Sequence, residues 1–343
     1  MSTAHLPERI ADLAQLEDLL STPSAALIDT LARVDGDLMV LGVGGKMGPT
    51  LARMAKRATP HRRVIGVARF SEAGLRERLE AHGVECIEAD LLSREALRQL
   101  PDAPNIVFMA GRKFGSGGSE WLTWAMNAWL PALVAERFPN ARIVAFSTAC
   151  VYPFVDVHGP GAPEELAPTP PPGEYANSCV GRERLLQHFS HARGTAGRLI
   201  RLSYAIDMRY GVLHDLAHKL LAGEPIDLAM GHANIIWQGE ANDWTLRALA
   251  HCESPTTPFN LSGPAVSIRV AAQGLADRLG VAAHFTGHEA ATAWLVDCRR
   301  AFALFGPPQV SLETMLDWTA DWVRRGQPSL NKPTHFEARD GKY

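Results

Sequence analysis

The sequence predicts an α/β chain: a doubly wound parallel sheet with a smaller C-terminal substrate lobe. Three observations carry this prediction. Short, continuous apolar runs alternate with helical stretches from Leu38 to about Tyr204. The first of these runs passes directly into glycines, and the glycines into a helix. After Tyr204 the regular alternation fades. Buried parallel strands read as unbroken apolar runs, and their crossovers need helices.

Residues 1–36 precede the first strong strand. Leu13, Leu16, Leu19 and Leu20 stand at helical spacing, and so do Leu27, Leu31 and Val34. Ser21 to Ser24 separates the two stretches, and Asp35 to Asp37 ends the second. They read as two short helices packing on the domain or on a second subunit. The domain that follows, 37–204, should hold strands at Leu38–Val43, Val64–Ala68, Val84–Ile87, Ile106–Ala110, Ile143–Ser147 and Leu199–Tyr204. Helices belong between most of them, at Thr50–Ala58, Gly74–Ala81, Arg94–Leu100, Glu120–Arg137 and Asn177–Ala192. Parallel strands joined by right-handed crossovers give a Rossmann sheet of order roughly 3-2-1-4-5-6. The stretch Pro160–Gly173 is too proline-dense for a helix interior and reads as an exposed loop leading to Tyr175. A helix at Leu213–Ala222, strands at Ile235–Trp237 and Phe259–Leu261, and helices at Val270–Leu279 and Leu312–Val323 make up a smaller lobe, 205–326, interwoven with the sheet. The polar tail, 327–343, is expected to wrap the surface.

Composition sets the outer limits. The 343 residues are 46% hydrophobic and 21% charged, enough apolar content for a sizeable core and too much for a disordered chain. No apolar run approaches the roughly 18 residues of a membrane span, and the N-terminus lacks the basic start and apolar run of a secretory signal. A net charge of −3 leaves no global basic footprint, so neither nucleic acid nor membrane is the expected partner. Five scattered cysteines without a CxxC pair argue against a disulfide framework or structural zinc and fit a reducing cytoplasm.

The glycine loop carries the first chemistry. Gly42, Gly45 and Gly48 are spaced three apart between strand and helix. The first permits a tight turn, the second lets backbone approach a pyrophosphate, and the third lets helix and strand pack closely. Phosphate would sit on the N–H groups of the helix starting near Lys46, with Pro49 harmless in its first turn. The spacing is GxxGxxG, with Met47 where GxGxxG needs glycine, and no GK[ST] makes it a Walker loop. Gly42, Gly45, Lys46, Met47 and Gly48 are thus the candidate dinucleotide loop. Where the second strand ends, an NAD site usually has an acidic residue to accept from the ribose 2′-hydroxyl. Here Ala68 and Arg69 stand instead. A guanidinium favours a phosphate, so the expected cofactor is NADP(H), with NAD the second choice.

With these residues in view, the chain from about Leu38 to Trp322 resembles the extended short-chain dehydrogenase/reductases, the NAD(P)-dependent sugar epimerase/dehydratase family. Further motifs join the glycines: Ala89-Asp90-Leu91 after the third strand, Ala110-Gly111 after the fourth, and Asn127 in the long helix that follows. Phe146 to Tyr152 is similar to the family's S-[ST]-x-x-V-Y segment, Phe259 to Gly263 to its late asparagine strand, and Trp294 to Asp297 to its D-x-x-[KR] segment. The resemblance implies Asp90 and Leu91 beside the adenine, and Ala110, Gly111, Asn127, Tyr175 and Ser203 around the rest of the cofactor. It also implies a catalytic Ser/Thr, Tyr and Lys. Thr148 matches the first, which orients the substrate. Tyr175 matches the second, the general acid/base while hydride moves. The lysine expected four residues later, which lowers the tyrosine pKa, is replaced by Cys179.

Three readings of that departure stay open. A cation comes from elsewhere, with Lys113 after the fourth strand the first candidate and Arg182 the second. Or the tyrosine is not activated, and the protein binds dinucleotide as a sensor or scaffold without turnover. Or Cys179 acts as a thiolate, which needs a depressed thiol pKa. The activity implied first is an NAD(P)-dependent oxidoreductase or epimerase acting on a hydroxyl of a sugar, sugar acid or related small molecule. Asp207, Arg209 and Tyr210, at the carboxyl end of the sixth strand, are candidate substrate contacts. Trp121, Trp124 and Trp129 lie on the long helix and suit packing or a homodimer interface. His214 and His218, four apart, lack an accompanying carboxylate motif, so no metal is expected.

Overall fold

The structure is a computed structural model that describes residues 6–113 and 118–341. Residues 1–5 of the N-terminal extension, 114–117 of the loop bearing Lys113 and 342–343 of the tail lie outside the described residues.

Two helices open the chain, α1 (Leu13–Leu20) and α2 (Ala25–Ala32). Asp12 and Ser24 cap them, each side chain accepting from a backbone N–H of the first turn. Both helices pack on the chain itself. Leu27 and Leu31 of α2 enter the core beneath the main sheet, whereas Leu16 and Leu20 of α1 enter the core of the C-terminal lobe. Each such leucine, fully buried, contributes about 2 kcal/mol, so the extension ties the two cores together.

The alternating segment follows: β1 (Leu38–Leu41), α3 (Gly48–Ala58), β2 (Val64–Ala68), α4 (Leu75–Ala81), β3 (Glu85–Glu88), α5 (Arg94–Gln99) and β4 (Asn105–Phe108). Next come α6 (Glu120–Trp124), a π turn (Ala125–Trp129) and α7 (Leu130–Arg137). Then β5 (Arg142–Thr148), β6 (Val155–Asp156), α8 (Glu174–Arg193), β7 (Gly197–Leu202) and β8 (Tyr204–Ile206). The remaining elements are α9 (Val212–Leu221), β9 (Ile226–Asp227), β10 (His232–Trp237), α10 (Gln238–Arg247), β11 (Thr257–Leu261), β12 (Ala265–Ser267), α11 (Ile268–Leu279), β13 (Phe285–Thr286), β14 (Thr292–Ala293), α12 (Arg299–Phe305) and α13 (Leu312–Arg324).

The main sheet runs β3-β2-β1-β4-β5-β7-β11, parallel throughout. Every residue of β1, β2 and β4 is buried, because helices cover both faces. The six expected strands fall in the expected order. The edge strand β11 is a seventh: Phe259 and Leu261 join the main sheet beside β7, so this is where the C-terminal segment interweaves with the sheet. That lobe is built on β8, β10 and β12 with α9, α11 and α13.

Three local expectations need correction. The helix expected over Glu120–Arg137 is interrupted by the π turn. Pro131 has no N–H to donate to the carbonyl of Asn127 four residues back, and the Arg182 Nε takes that oxygen instead at 3.1 Å. The proline-rich loop is not simply exposed: Ala162 bridges to Val296, and Ala162 and Glu164 are buried. The tail also does more than cover the surface, since Thr334 and Phe336 are buried.

A buried charge pair joins α8 to the sheet. Glu183 accepts from Ser147 Oγ at 2.6 Å, and from Arg201 Nε and Nη2 at 3.0 and 2.7 Å. Arg201 also donates to the Tyr152 hydroxyl at 2.6 Å and the Glu164 carbonyl at 3.1 Å. Removing one partner leaves the other charged and unpaired in the core. Arg201→Met should therefore cost about 3–5 kcal/mol in urea unfolding, and adding Glu183→Leu should restore part of that loss.

Candidate active site

The glycine loop shows three distinct constraints. Gly42 sits at φ +89°, and a Cβ there would lie 2.6 Å from the Ala110 nitrogen. A Cβ on Gly48 would lie 2.3 Å from the Val43 carbonyl oxygen, so strand and helix touch through it. Gly45 differs: the nearest atom to an added Cβ is the Gly42 carbonyl oxygen at 3.5 Å, and space opens above it. The helix behind the loop starts at Gly48, between the start near Lys46 and the stretch from Thr50 expected from sequence, with Pro49 in its first turn. No acidic side chain stands in that turn, and no side chain caps it. Unsatisfied N–H groups and the positive end of a helix favour an anion. A cradle that a single Cβ would fill, at such a helix start, fits a diphosphate.

Two clefts meet at this loop. The first is lined by Gly42, Arg69, Asp90, Leu91, Ala110 and Gly111, with Gly44, Gly45 and Met109 at its inner end. Arg69 is exposed at the end of β2. The Asp90 carboxylate accepts from the Leu92 N–H at 3.0 Å and so shapes its own turn. The second cleft, a cavity of about 440 Å³, continues past Gly45, Lys46, Met47, Gly48 and Gly111 to Thr148, Tyr175 and Ser203. Lys113, Asn127, Arg182, Tyr204, Tyr210 and Lys332 also line it. The site therefore lies at the carboxyl edge of the strands, where open α/β sheets take ligands.

Thr148 ends β5 and Tyr175 stands in the first turn of α8. The two side chains line the same cavity. Burial pushes the Tyr175 phenol well above its ordinary range, with the neighbouring Cys179 and Cys150 thiols adding to it, while the Thr148 hydroxyl and the Arg182 charge work the other way. The Arg182 guanidinium is buried in the cavity wall. It donates to the Ala110, Phe146 and Asn127 carbonyls and to Asn127 Oδ1. Gly111 leaves room for it: a Cβ there would meet Arg182 Nη2 at 2.6 Å. Asn127 has its amide engaged too, accepting from the Arg112 N–H and donating to the Arg112 carbonyl and Ser178 Oγ, all within 2.9 Å. Asn127 thus positions the loop after β4. Ser203 donates to the Asn234 carbonyl at 3.1 Å.

The structure revises the choice among cations. Arg182, ranked second from sequence, is the one whose charge bears on both Tyr175 and Cys179. Lys113 lines the same cavity, but its ammonium donates to the Thr334 carbonyl of the tail at 3.1 Å, and burial holds its pKa below the usual lysine range. Cys179 departs from expectation as a chemical group. It lies off both clefts, 1% exposed among Ala149, Val151, Tyr152 and Ala162, and burial pushes its thiol up to about 11. A thiol pushed up in this way is a poor source of thiolate near neutral pH.

Of the candidate substrate contacts, Tyr210 lines the cavity, with the Lys46 ammonium 3.2 Å from its ring centroid. Asp207 instead pairs with Arg209, which also meets Glu17 of α1. His214 Nε2 lies 2.9 Å from Ser329 Oγ, so that helix face holds the tail. Sequence reasoning missed Lys332 and Tyr204. Lys332 stands in a polar tail without periodicity, and only its folding back over the lobe brings it to the cavity.

A family model described as the NAD dependent epimerase/dehydratase family matches residues 38–231. Among solved structures, the chain is similar to the UDP-glucuronic acid 4-epimerase of Bacillus cereus, solved with UDP-glucuronic acid and NAD. That match has TM-score 0.68 and 17% identity over 84% of this chain and 99% of that one. It is also similar to the dTDP-glucose 4,6-dehydratase of Streptomyces venezuelae, solved with NAD and TYD (TM-score 0.70, 19% identity, 84% and 97% covered). A third is the UDP-glucose 4-epimerase of Thermus thermophilus in complex with NAD (TM-score 0.68, 18% identity, 84% and 99% covered). No curated protein matches.

The glycine loop yields a test. Gly45→Ala should fold like the parent, because its Cβ meets nothing closer than ordinary contact, yet weaken NADPH and NADH binding by about tenfold or more in fluorescence titration. Gly48→Ala should instead lower the melting temperature, since it forces helix from strand.

Proposed function

Since the chain belongs to the NAD-dependent epimerase/dehydratase family, we propose that it is an NAD(P)-dependent oxidoreductase or epimerase acting on a hydroxyl of a sugar, sugar acid or related small molecule. The observation that carries this reading is that Thr148 and Tyr175 stand together in a cavity continuous with the Gly42–Gly48 loop. The family and the sugar-nucleotide complexes of its structural relatives support it.

A nicotinamide coenzyme, when bound, supplies a hydride acceptor or donor. Gly42, Gly45 and Gly48 would hold its diphosphate, and Arg69, Asp90 and Leu91 its adenosine end. Arg69 supports NADP(H) as the preferred form, with NAD second. Within the cavity, Thr148 orients a substrate oxygen and holds the Tyr175 hydroxyl in line with it. Tyr175 gives its proton to an oxygen that gains negative charge, or takes one back in the opposite direction. Arg182, in the cavity wall, offsets part of the desolvation that keeps the phenol protonated. A second copy of the chain is the proposed partner for Trp121 and Trp129, 71% and 50% exposed on the helix beside the site. The five cysteines, all unbridged, support a reducing compartment, the cytoplasm.

The second reading, a dinucleotide sensor without turnover, is favoured by two observations: no lysine stands at position 179, and the phenol pKa is held well above its ordinary range. The two part on turnover. The enzyme should convert NADP⁺ or NADPH with at least one member of a sugar and sugar-acid panel. Tyr175→Phe should then lower kcat by about 10²–10⁴ while changing coenzyme affinity by no more than about tenfold. Firm coenzyme binding without turnover on any member would support the sensor.

The direction of the Tyr175 shift sets a pH dependence. A raised pKa leaves the phenol protonated at neutral pH, ready as an acid and scarce as a base. Oxidative kcat/KM should rise about tenfold per pH unit between about pH 7 and 9, while the reductive rate stays flat. Arg69→Ala should raise the Kd for NADPH about tenfold and leave that for NADH unchanged.

A further inference from the structure

We propose that the cavity binds a small polyol bearing an anionic group, a carboxylate or a phosphate ester, and that the C-terminal tail completes this subsite by supplying Lys332 alongside Lys46 and Lys113. The proposal rests on the reading of Thr148 and Tyr175 as the reacting centre.

The three lysines come from separate parts of the chain: the glycine loop, the loop after β4 and the tail. All line the cavity that holds Thr148 and Tyr175, and none lines the cleft of Arg69 and Asp90. Lys46 and Lys332 stand at the mouth, where they also line a neighbouring cleft with Glu17, Glu72 and Arg209, and Lys113 lies on the cavity side alone. The tail is held in place on both sides of Lys332. The Leu330 N–H donates to the Arg209 carbonyl at 3.0 Å, and the Thr334 N–H donates to the Asp215 carboxylate at 2.7 Å. The Thr334 carbonyl accepts from Lys113, and Glu337 pairs with Lys219 at 2.8 Å. With Thr334 and Phe336 buried, this segment is a built wall of the cavity.

Gathering like charges in a desolvated site is unfavourable. Lys113 and Lys332 act with burial to bring Lys46 down to about 7, against the opposing pull of Asp215 and Asp207. An anion between the lysines relieves that cost, and polyol hydroxyls suit the phenols of Tyr175, Tyr204 and Tyr210 around it. A neutral sugar leaves the repulsion in place.

The experiment is calorimetric titration of the full-length protein, with saturating NADPH, against gluconate, glucose 6-phosphate and glucose, for the parent and Lys332→Ala. Lys332 is exposed, so its truncation should leave folding intact, with the melting temperature as the check. At least one anion should bind about tenfold tighter than glucose, and Lys332→Ala should remove about that advantage while coenzyme affinity stays within about twofold. Which anion binds distinguishes carboxylate from phosphate ester. Equal binding of glucose, flat titrations with both anions, or an anion affinity indifferent to Lys332→Ala would overturn the proposal. So would a loss confined to NADPH, which would assign the lysines to the coenzyme phosphates. Failure of the parent to bind any coenzyme strikes the reading of the reacting centre instead; lysine-dependent anion binding in coenzyme-free protein would then still uphold the subsite.

Discussion

Two neighbouring side chains of α8, Arg182 and Glu183, carry opposite charges into the sheet, and the geometry of the site depends on where they land. Arg182 takes the carbonyls of Ala110 and Phe146, just past β4 and within β5, together with the π turn at Asn127. Glu183 takes Ser147 of β5 and Arg201 of β7. Consecutive helical residues point about 100° apart, so the pair straddles the sheet edge and fixes both the rotation and the height of α8. Tyr175, two turns earlier, can meet Thr148 only with the helix in that register. Buried charges are costly unless fully bonded, and here the bonding is extensive: Arg182 makes four hydrogen bonds from its five N–H groups. Such a network tolerates few alternatives, which gives the helix one register.

The regular half of the fold was legible because strand burial and crossover geometry leave a direct trace in sequence. The glycine triplet was legible at higher resolution. Each glycine meets a different constraint: a left-handed turn at Gly42, open space at Gly45, and backbone contact at Gly48. The π turn was not legible, because it follows from two distant facts acting together. Pro131 vacates a carbonyl bond, and Arg182, far away in sequence, fills it. β11 was read as a strand of a segment interwoven with the sheet, but its neighbour was not legible, since five residues of β pattern do not state their partner. The tail was the largest omission. Lys332 reaches the cavity only because Asp215, through Thr334, and the Arg209 carbonyl hold the chain there, and no local pattern announces such long-range anchoring.

The missing lysine is instructive. Sequence register put Cys179 in its place and suggested a cation from across the cleft. Helical geometry contained a nearer answer. Seven residues are close to two full turns, so Arg182 returns to the face of α8 that carries Tyr175. Cys179 shares that face and sits between them, buried and neutral. The positive charge has moved one turn down the helix, where it also serves as the bolt between helix and sheet.

Burial acts on Lys46 and Tyr175 with one logic and opposite signs: each is driven towards its uncharged form, the lysine down to about 7 and the phenol well up. An anion seated in this cavity would shift both in the same direction. It would raise the lysine pKa, returning its charge, and raise the phenol pKa further, keeping its proton. The lysines therefore answer for binding an anionic substrate, and they do nothing on its behalf to make Tyr175 a base. On the proposed reading that task falls to Arg182, whose guanidinium is already committed to the carbonyls it grips. Separating the binding cations from the one that tunes the phenol lets the same cavity hold an anion and still release a proton from the tyrosine.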